Sequence, residues 1–153
     1  MNVLPMTQQY SKTSWLLVIS QLACFLYLFT GGPWLAHRID LQIWQLSGAL
    51  ITISGLLGLK WHSFGVFPEP KIEGRLVTTG IYAYIRHPMY AGILVVCITL
   101  VWQYPTISRL LVWLFLACIF VIKIIKEENF LVEKFPEYAD YKTKTNRLIP
   151  FIW

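Results

Sequence analysis

Arg86-His87-Pro88-Met89-Tyr90, running into the uncharged stretch 91–102, is where the reading of this chain turns. A cation, an imidazole and a tyrosine stand where a polar segment meets an apolar run, and the proline suits the first turn of a helix. Ionisable groups at such a boundary are costly to desolvate and usually mark function. Outward from this point the chain is too apolar for a soluble domain to bury: 56% of its 153 residues are hydrophobic, 14% are charged and seven are tryptophan. Four windows, 14–30, 41–59, 88–103 and 106–125, approach the roughly 17–25 apolar residues that cross a hydrocarbon core of about 30 Å. The expected fold is all-α and integral to the membrane, a single domain of about four transmembrane helices. The first window is expected to be retained, because Gly31-Gly32-Pro33-Trp34 is a poor signal-peptide cleavage site.

Basic residues give the expected orientation. Lys12 precedes the first window, Lys60, Lys71, Arg75 and Arg86 lie between the second and third, and Lys123, Lys126, Lys134, Lys142, Lys144 and Arg147 lie at or after the end of the fourth. Eleven of the thirteen Lys and Arg thus fall on one side, with Arg38 and Arg109 opposite. The positive-inside rule places both termini and residues 60–87 in the cytoplasm. The same bias accounts for the net charge of +5 without a nucleic-acid partner. Cys24, Cys97 and Cys118 sit singly in apolar windows, so no disulfide framework or metal site is expected.

Three residues, Gln103-Tyr104-Pro105, separate the third and fourth windows and predict an antiparallel hairpin. Residues 60–87 form a long polar connection whose apolar and tyrosine content (Leu76, Val77, Ile81, Tyr82, Tyr84) favours order. After the fourth window an apolar stripe continues through Ile122, Ile125, Leu131 and Phe135, predicting one helix that leaves the membrane and ends before Pro136. The basic, aromatic tail from Tyr138 to Trp153 suits a headgroup region. In the second window, Ser54 and Gly58 have the spacing of a close helix contact. His37 and His62 read as interfacial residues.

Two polar knots stand out. Around Arg86-His87, membrane anchoring by a snorkelling arginine and an aromatic belt competes with ligand binding at a helix N-terminus. Around Lys123, Lys126, Glu127 and Glu128, an i,i+4 ion pair from Lys123 to Glu127 competes with a site. Positive-inside logic supplies lysines here but no reason for two glutamates. The two knots are expected to meet and form one site.

Leu76-Val77-Thr78-Thr79-Gly80-Ile81-Tyr82 and Arg86-His87-Pro88-Met89-Tyr90-Ala91-Gly92, followed by Glu127-Glu128, Phe135, Tyr138, Tyr141 and Pro150, resemble the signature of isoprenylcysteine carboxyl methyltransferases. Membrane methyltransferases acting on phospholipid amines share part of this pattern. The resemblance covers about residues 60–153. It implies S-adenosyl-L-methionine as methyl donor, a cytoplasmic helical cofactor pocket built from about 71–90 and 123–150, and a lipophilic acceptor arriving from the bilayer. Carried over by motif, Leu76, Val77, Tyr82, His87, Pro88, Met89, Tyr90 and Glu127 would contact the donor. Lys123 would stand near the acceptor, and Glu128 would serve as base if the acceptor is an amine. No metal is implied.

The residue types suit that chemistry. A glutamate can hold the donor's ammonium, and tyrosine faces suit an adenine ring and a sulfonium. A carboxylate acceptor is already ionised and is favoured over an amine, which must first lose a proton. Two departures bear on the acceptor: Lys123 stands where the prenylcysteine enzymes carry arginine, and the two are not equivalent for carboxylate recognition; Asn146 stands where proline is frequent. The alternatives are a reductase using NADPH, for which Arg75, Arg86 and Arg147 are few phosphate partners, and a non-catalytic membrane scaffold.

Overall fold

The computed structural model describes residues 10–63, 65–69 and 74–149. Lys71, Pro150 and the expected headgroup-facing end 151–153 lie outside the described residues, as do the side chains of Lys60 and His62. Within them the chain is all-helical: α1 (Lys12–Thr30), α2 (Ile39–Ser63), α3 (Pro88–Gln103), α4 (Ile107–Lys134) and the short α5 (Tyr138–Lys144), with one 3-10 turn at Gly80–Ala83. No strand occurs among the described residues; Ile85 and Asn146 form an isolated bridge.

The local signals account for the helix ends. Ser11 caps α1 by accepting from the Ser14 N–H at 3.2 Å, and Thr106 caps α4 by accepting from the Arg109 N–H at 3.2 Å. Pro88 opens α3, where its missing N–H costs nothing. Gly80 begins the 3-10 turn at φ +64°, a left-handed geometry that a Cβ would strain.

Three helices, α1, α2 and α4, are long and apolar enough to cross a membrane. The expected third span is a shorter helix of 16 residues, bounded by Pro88 and by the turn Tyr104-Pro105. At about 1.5 Å per residue it covers only about 24 Å. By contrast α4, with 28 residues, reaches about 42 Å, beyond the roughly 30 Å of a hydrocarbon core. Its last turns therefore extend past the apolar layer as one continuous helix, ending at Lys134 as expected.

The distribution of side chains is that of a protein immersed in lipid. Trp15, Leu16, Leu26, Ile43, Leu57 and Phe115 face outward, while Ser14, Gln21, Thr99, Arg109, Lys123 and Glu128 are buried. Water would favour the reverse; lipid requires polar groups to be satisfied internally. The apolar core joins Cys24 and Leu28 of α1, Cys97, Leu100 and Val101 of α3, and Leu116, Ile119 and Phe120 of α4. Cys24 and Cys97 are buried and free, while Cys118 is free and faces outward. At the end of the bundle away from Arg86, Arg109 donates through Nη2 to the carbonyls of Leu28 (2.8 Å) and Leu100 (3.2 Å). One guanidinium thereby satisfies terminal carbonyls of α1 and α3. His37, on the same side, is exposed beside the Tyr104 hydroxyl.

Although α3 and α4 follow one another, α3 packs chiefly on α2, and α4 on α1. The close α2–α3 approach runs through Gly48 and Gly92, where a Cβ built on Gly48 would lie 2.8 Å from the Gly92 carbonyl oxygen. The expected Ser54–Gly58 face is not this contact: Ser54 is exposed, and Gly58 instead makes room for the Tyr82 ring. Gly92→Ala should lower stability by about 1–3 kcal/mol, since its methyl would meet the Thr52 hydroxyl and the Gly48 carbonyl oxygen, and the α2 backbone cannot yield even if the hydroxyl rotates. Thermal unfolding of the detergent-purified variant reads this directly.

Candidate functional site

The two knots meet. Arg86, at the end of the polar connection, donates through Nε to Glu128 Oε1 at 2.7 Å; their side chains are 6% and 1% exposed. The tail sews this meeting together through its backbone. The Arg86 and His87 N–H groups donate to the carbonyls of Asn146 (2.8 Å) and Arg147 (3.0 Å), and the Asn146 N–H donates to Tyr84 O (3.2 Å). Arg86 Nη1 also donates to the Thr145 carbonyl and, at 3.1 Å, to that of Lys142. Arg147 (3.1 Å) and Lys142 (3.5 Å) approach the other oxygen of Glu128. This buried carboxylate thus gathers cations from the connection before α3 and from the tail after α4, which is what brings the two segments to one place.

Beside this cluster lies a cavity. All eight residues carried over for donor contact, Leu76, Val77, Tyr82, His87, Pro88, Met89, Tyr90 and Glu127, line it. Glu127 presents a partly exposed carboxylate, 31% accessible, which accepts from the Tyr90 hydroxyl at 3.3 Å and stands 3.8 Å from His87 Nδ1. Tyr90 is held by stacking on Phe120 (4.8 Å) and on the His87 ring (5.8 Å). The Tyr82 hydroxyl is turned away to the Gly55 carbonyl at 3.0 Å, so its ring is what faces the cavity.

Lys123 and Glu128, the two residues expected to act on the acceptor, do not line this cavity. The Glu128 side chain points one helical step away from that of Glu127, into the cations, and a carboxylate held by Arg86, Arg147 and Lys142 is a poor proton acceptor. Lys123 is buried. Its ammonium donates to Gln21 Oε1 of α1 at 2.6 Å and to the Val66 carbonyl at 2.8 Å, rather than closing the i,i+4 pair with Glu127. It lies 5.6 Å from the centre of the Tyr90 ring, behind the cavity wall.

Other walls carry no signal in the motifs. Phe67, Pro68 and Glu69 form one side, placed by contacts to α1 that no periodicity announces. Leu131 and Phe135 also line the cavity; Leu131, one turn beyond Glu127 on the same face, was legible from helical spacing. Tyr138 and Tyr141 complete it from α5. Burial pushes the hydroxyls of Tyr82 and Tyr138 well above the usual tyrosine range and that of Tyr141 up to about 12. These phenols therefore stay neutral at physiological pH and supply no phenolate base.

The buried Tyr138 hydroxyl has no hydrogen-bond partner among the described residues, whereas His87 Nε2 lies 3.5 Å from Glu128 Oε1, on the side of the buried ion cluster. The Tyr138 hydroxyl is thus a polar group on the cavity wall whose desolvation is uncompensated by protein. Together with the Glu127 carboxylate and the aromatic faces, it suits a ligand that bears an ammonium, further polar atoms and a flat ring. S-adenosyl-L-methionine has that set, so the residues present fit it. Among the described residues no three His, Cys, Asp or Glu side chains are grouped to hold a metal ion.

Fold and site together define a helical membrane protein with a cavity lined by aromatic and charged groups at one end of its bundle, where the ends of α3 and α4 meet. The sequence matches the phospholipid methyltransferase family across residues 44–138, and the chain belongs to that family. It is 30% identical over 142 aligned residues to a methanethiol S-methyltransferase of Pseudomonas deceptionensis, covering 76% of this chain and 53% of that protein. It is 29% identical over 136 residues to the protein-S-isoprenylcysteine O-methyltransferase of Saccharomyces cerevisiae, covering 82% and 57%. Against a nickel-cobalt-cadmium resistance protein of Alcaligenes xylosoxydans xylosoxydans the identity is 33% over 112 residues, covering 69% and 52%. The chain spans about half the length of the curated relatives it matches.

Proposed function

We propose that this protein is a membrane methyltransferase that uses S-adenosyl-L-methionine and acts on a lipophilic acceptor, with the pocket and both termini on the cytoplasmic side. The observation that carries the reading is the convergence of the eight motif residues on one cavity, with Glu127 as its accessible carboxylate. When bound, the donor would supply a methyl group activated by its sulfonium.

The chain's own part is binding and alignment. Glu127 holds the donor ammonium, and Tyr90 orients Glu127 through its hydroxyl. The unpartnered Tyr138 hydroxyl takes a polar atom of the donor, while His87, stacked on Tyr90 and beside Glu127, backs the wall. Leu76, Val77, Pro88 and Met89 give an apolar wall that limits water, and the Tyr82 ring gives a flat face. Lys123 and Glu128 act from behind the wall as positioning residues: Lys123 beneath Tyr90, and Glu128 by joining the two halves of the pocket. In-line methyl transfer needs alignment in a water-poor site more than it needs acid–base assistance. With Glu128 neutralised by cations, the tyrosines protonated and the Glu127 carboxylate engaged by the donor ammonium, the pocket keeps no further base for the acceptor. That favours an acceptor that arrives ionised, such as a carboxylate, over an amine.

Isothermal titration of the detergent-purified protein with S-adenosylhomocysteine tests the reading. Saturable one-to-one binding that NADPH does not displace is the expected result. Well-folded protein that binds NADPH and not S-adenosylhomocysteine would overturn it.

A further inference from the structure

The wall formed by Phe67, Pro68 and Glu69 takes part of its anchorage from outside the helices that carry the motifs. That part comes from the first turn of α1 and the two residues before it, all of which precede the segment matched by the family. Phe67 stacks on Tyr10 with ring centres 4.0 Å apart and meets the edge of Trp15 at 4.8 Å. Two residues on, Glu69 Oε1 accepts from the Ser14 hydroxyl and, at 3.5 Å, from the Ser11 N–H. Ser14 is fully buried.

The same hydroxyl is reached from the other side by α4. Lys126 Nζ donates to Ser14 Oγ at 3.1 Å, to Thr13 Oγ1 at 2.8 Å and to Ser11 Oγ at 3.3 Å. Ser14 therefore relays charge: the Lys126 ammonium donates to its oxygen, and its O–H donates to the Glu69 carboxylate. Each bond in such a chain polarises the next, and an ionised group at either end strengthens both. One turn earlier on α4, Lys123 donates to the Val66 carbonyl and to Gln21 of α1. Two lysines on α4 and one turn of α1 thus grip residues 66–69 at three points: a backbone carbonyl, a ring and a carboxylate.

We propose that this grip is a latch for the ligand pocket, in which Ser14 and Lys126 are positioning residues that hold the Phe67–Glu69 wall closed against Tyr90 and Glu127. Neither residue lines the cavity, so neither contacts the ligand; they act by keeping the binding-competent arrangement populated. Apparent affinity scales with that population, so loosening the latch weakens binding without removing any ligand contact. The proposal rests on the reading of the cavity as a methyl-donor pocket, and it adds α1 to the elements that build it.

The double variant Ser14→Ala/Lys126→Ala tests the latch with two readouts. In the first, Val66→Cys, at a half-exposed position, is introduced into the parent and into the double variant, and its alkylation by a water-soluble maleimide is timed in detergent. The parent without the added cysteine corrects for Cys118. Alkylation should be roughly five- to tenfold faster in the double variant, as expected for loss of a charge-assisted chain of this kind. In the second, S-adenosylhomocysteine should bind the double variant about five- to tenfold more weakly with unchanged stoichiometry. Ser14→Thr, which keeps the hydroxyl, should restore most of both effects. Unchanged alkylation in a variant with an unchanged melting temperature would overturn the latch whatever the ligand. Faster alkylation with undiminished affinity would overturn its role in the pocket. Should the parent bind no S-adenosylhomocysteine, the functional reading fails while the alkylation result still decides whether the latch exists.

Discussion

Glu128→Ala is expected to destabilise the protein by about 3–5 kcal/mol, the range for removing one partner of a buried ion pair. The carboxylate is 1% exposed and faces Arg86, itself 6% exposed. Alanine would leave that guanidinium in a dry site with the neutral carbonyls of Lys142 and Thr145 and the Thr145 hydroxyl in place of a carboxylate. Arg147 and Lys142 are more accessible and can turn to water, so most of the cost falls on Arg86. Because the tail is held to residues 84–87 by backbone hydrogen bonds centred on this cluster, the variant should also release α5. Trypsin should then cut after Lys142 or Lys144 well before the helical bundle melts. Thermal unfolding in detergent measures the first effect and timed proteolysis the second. Replacing both Arg86 and Glu128 by methionine should cost less than the sum of the single changes, with a coupling of roughly 1–3 kcal/mol, since no buried charge is then left alone. A Glu128→Ala protein within about 1 kcal/mol of the parent would mean that water, not protein, satisfies Arg86, a far smaller loss than a dry buried pair entails.

The same cluster marks the limit of what the sequence discloses. Apolar windows located the helices closely, because burial in lipid leaves a composition signal that few other structures share. The meeting of Arg86 with Glu128 was legible as a pairing of opposite charges at two membrane boundaries, sharpened by the resemblance to a known motif order. Which of two adjacent glutamates faces the cavity was not legible. Neighbouring residues on a helix point about 100° apart, and only the packing of α4 against α1 fixes which one turns inward. Helical spacing likewise made Lys123–Glu127 a plausible ion pair, but Gln21 and the Val66 carbonyl claim the ammonium, and both are remote in sequence. The Phe67–Glu69 wall left no mark because its conformation is set by partners on α1. The third helix fell short of a full span because Pro88 and Tyr104-Pro105 set its ends, whatever the hydropathy between them.

Glu127 carries the largest expected effect on ligand binding. Its carboxylate lies open to the cavity at 31% accessibility, touched by the Tyr90 hydroxyl and close to His87. Unlike Glu128, which points into the Arg86 cluster, it faces the cavity, so its charge is available to a cationic ligand group. Charged hydrogen bonds of this kind contribute about 1.5–3 kcal/mol. Glu127→Ala should therefore weaken S-adenosylhomocysteine binding by roughly 10- to 150-fold while shifting the melting temperature little, because the side chain is partly accessible and its link to α3 is a single long hydrogen bond from Tyr90, at 3.3 Å. Glu127→Gln, which keeps an acceptor oxygen but removes the charge, should fall between the parent and alanine. Tyr90→Phe preserves the stacking on Phe120 and His87 and removes only the hydroxyl that orients the carboxylate, so its loss should be smaller, less than about tenfold. This ranking separates a charge-recognition role from a packing role. If glutamine and alanine bind as the parent does while phenylalanine at position 90 does not, the ligand is held by the aromatic wall and Glu127 serves only to anchor Tyr90. If alanine alone abolishes binding and also unfolds the protein, the carboxylate is structural. The predicted order, with stability held constant across all three variants, is met only if Glu127 recognises a positive group in the ligand itself.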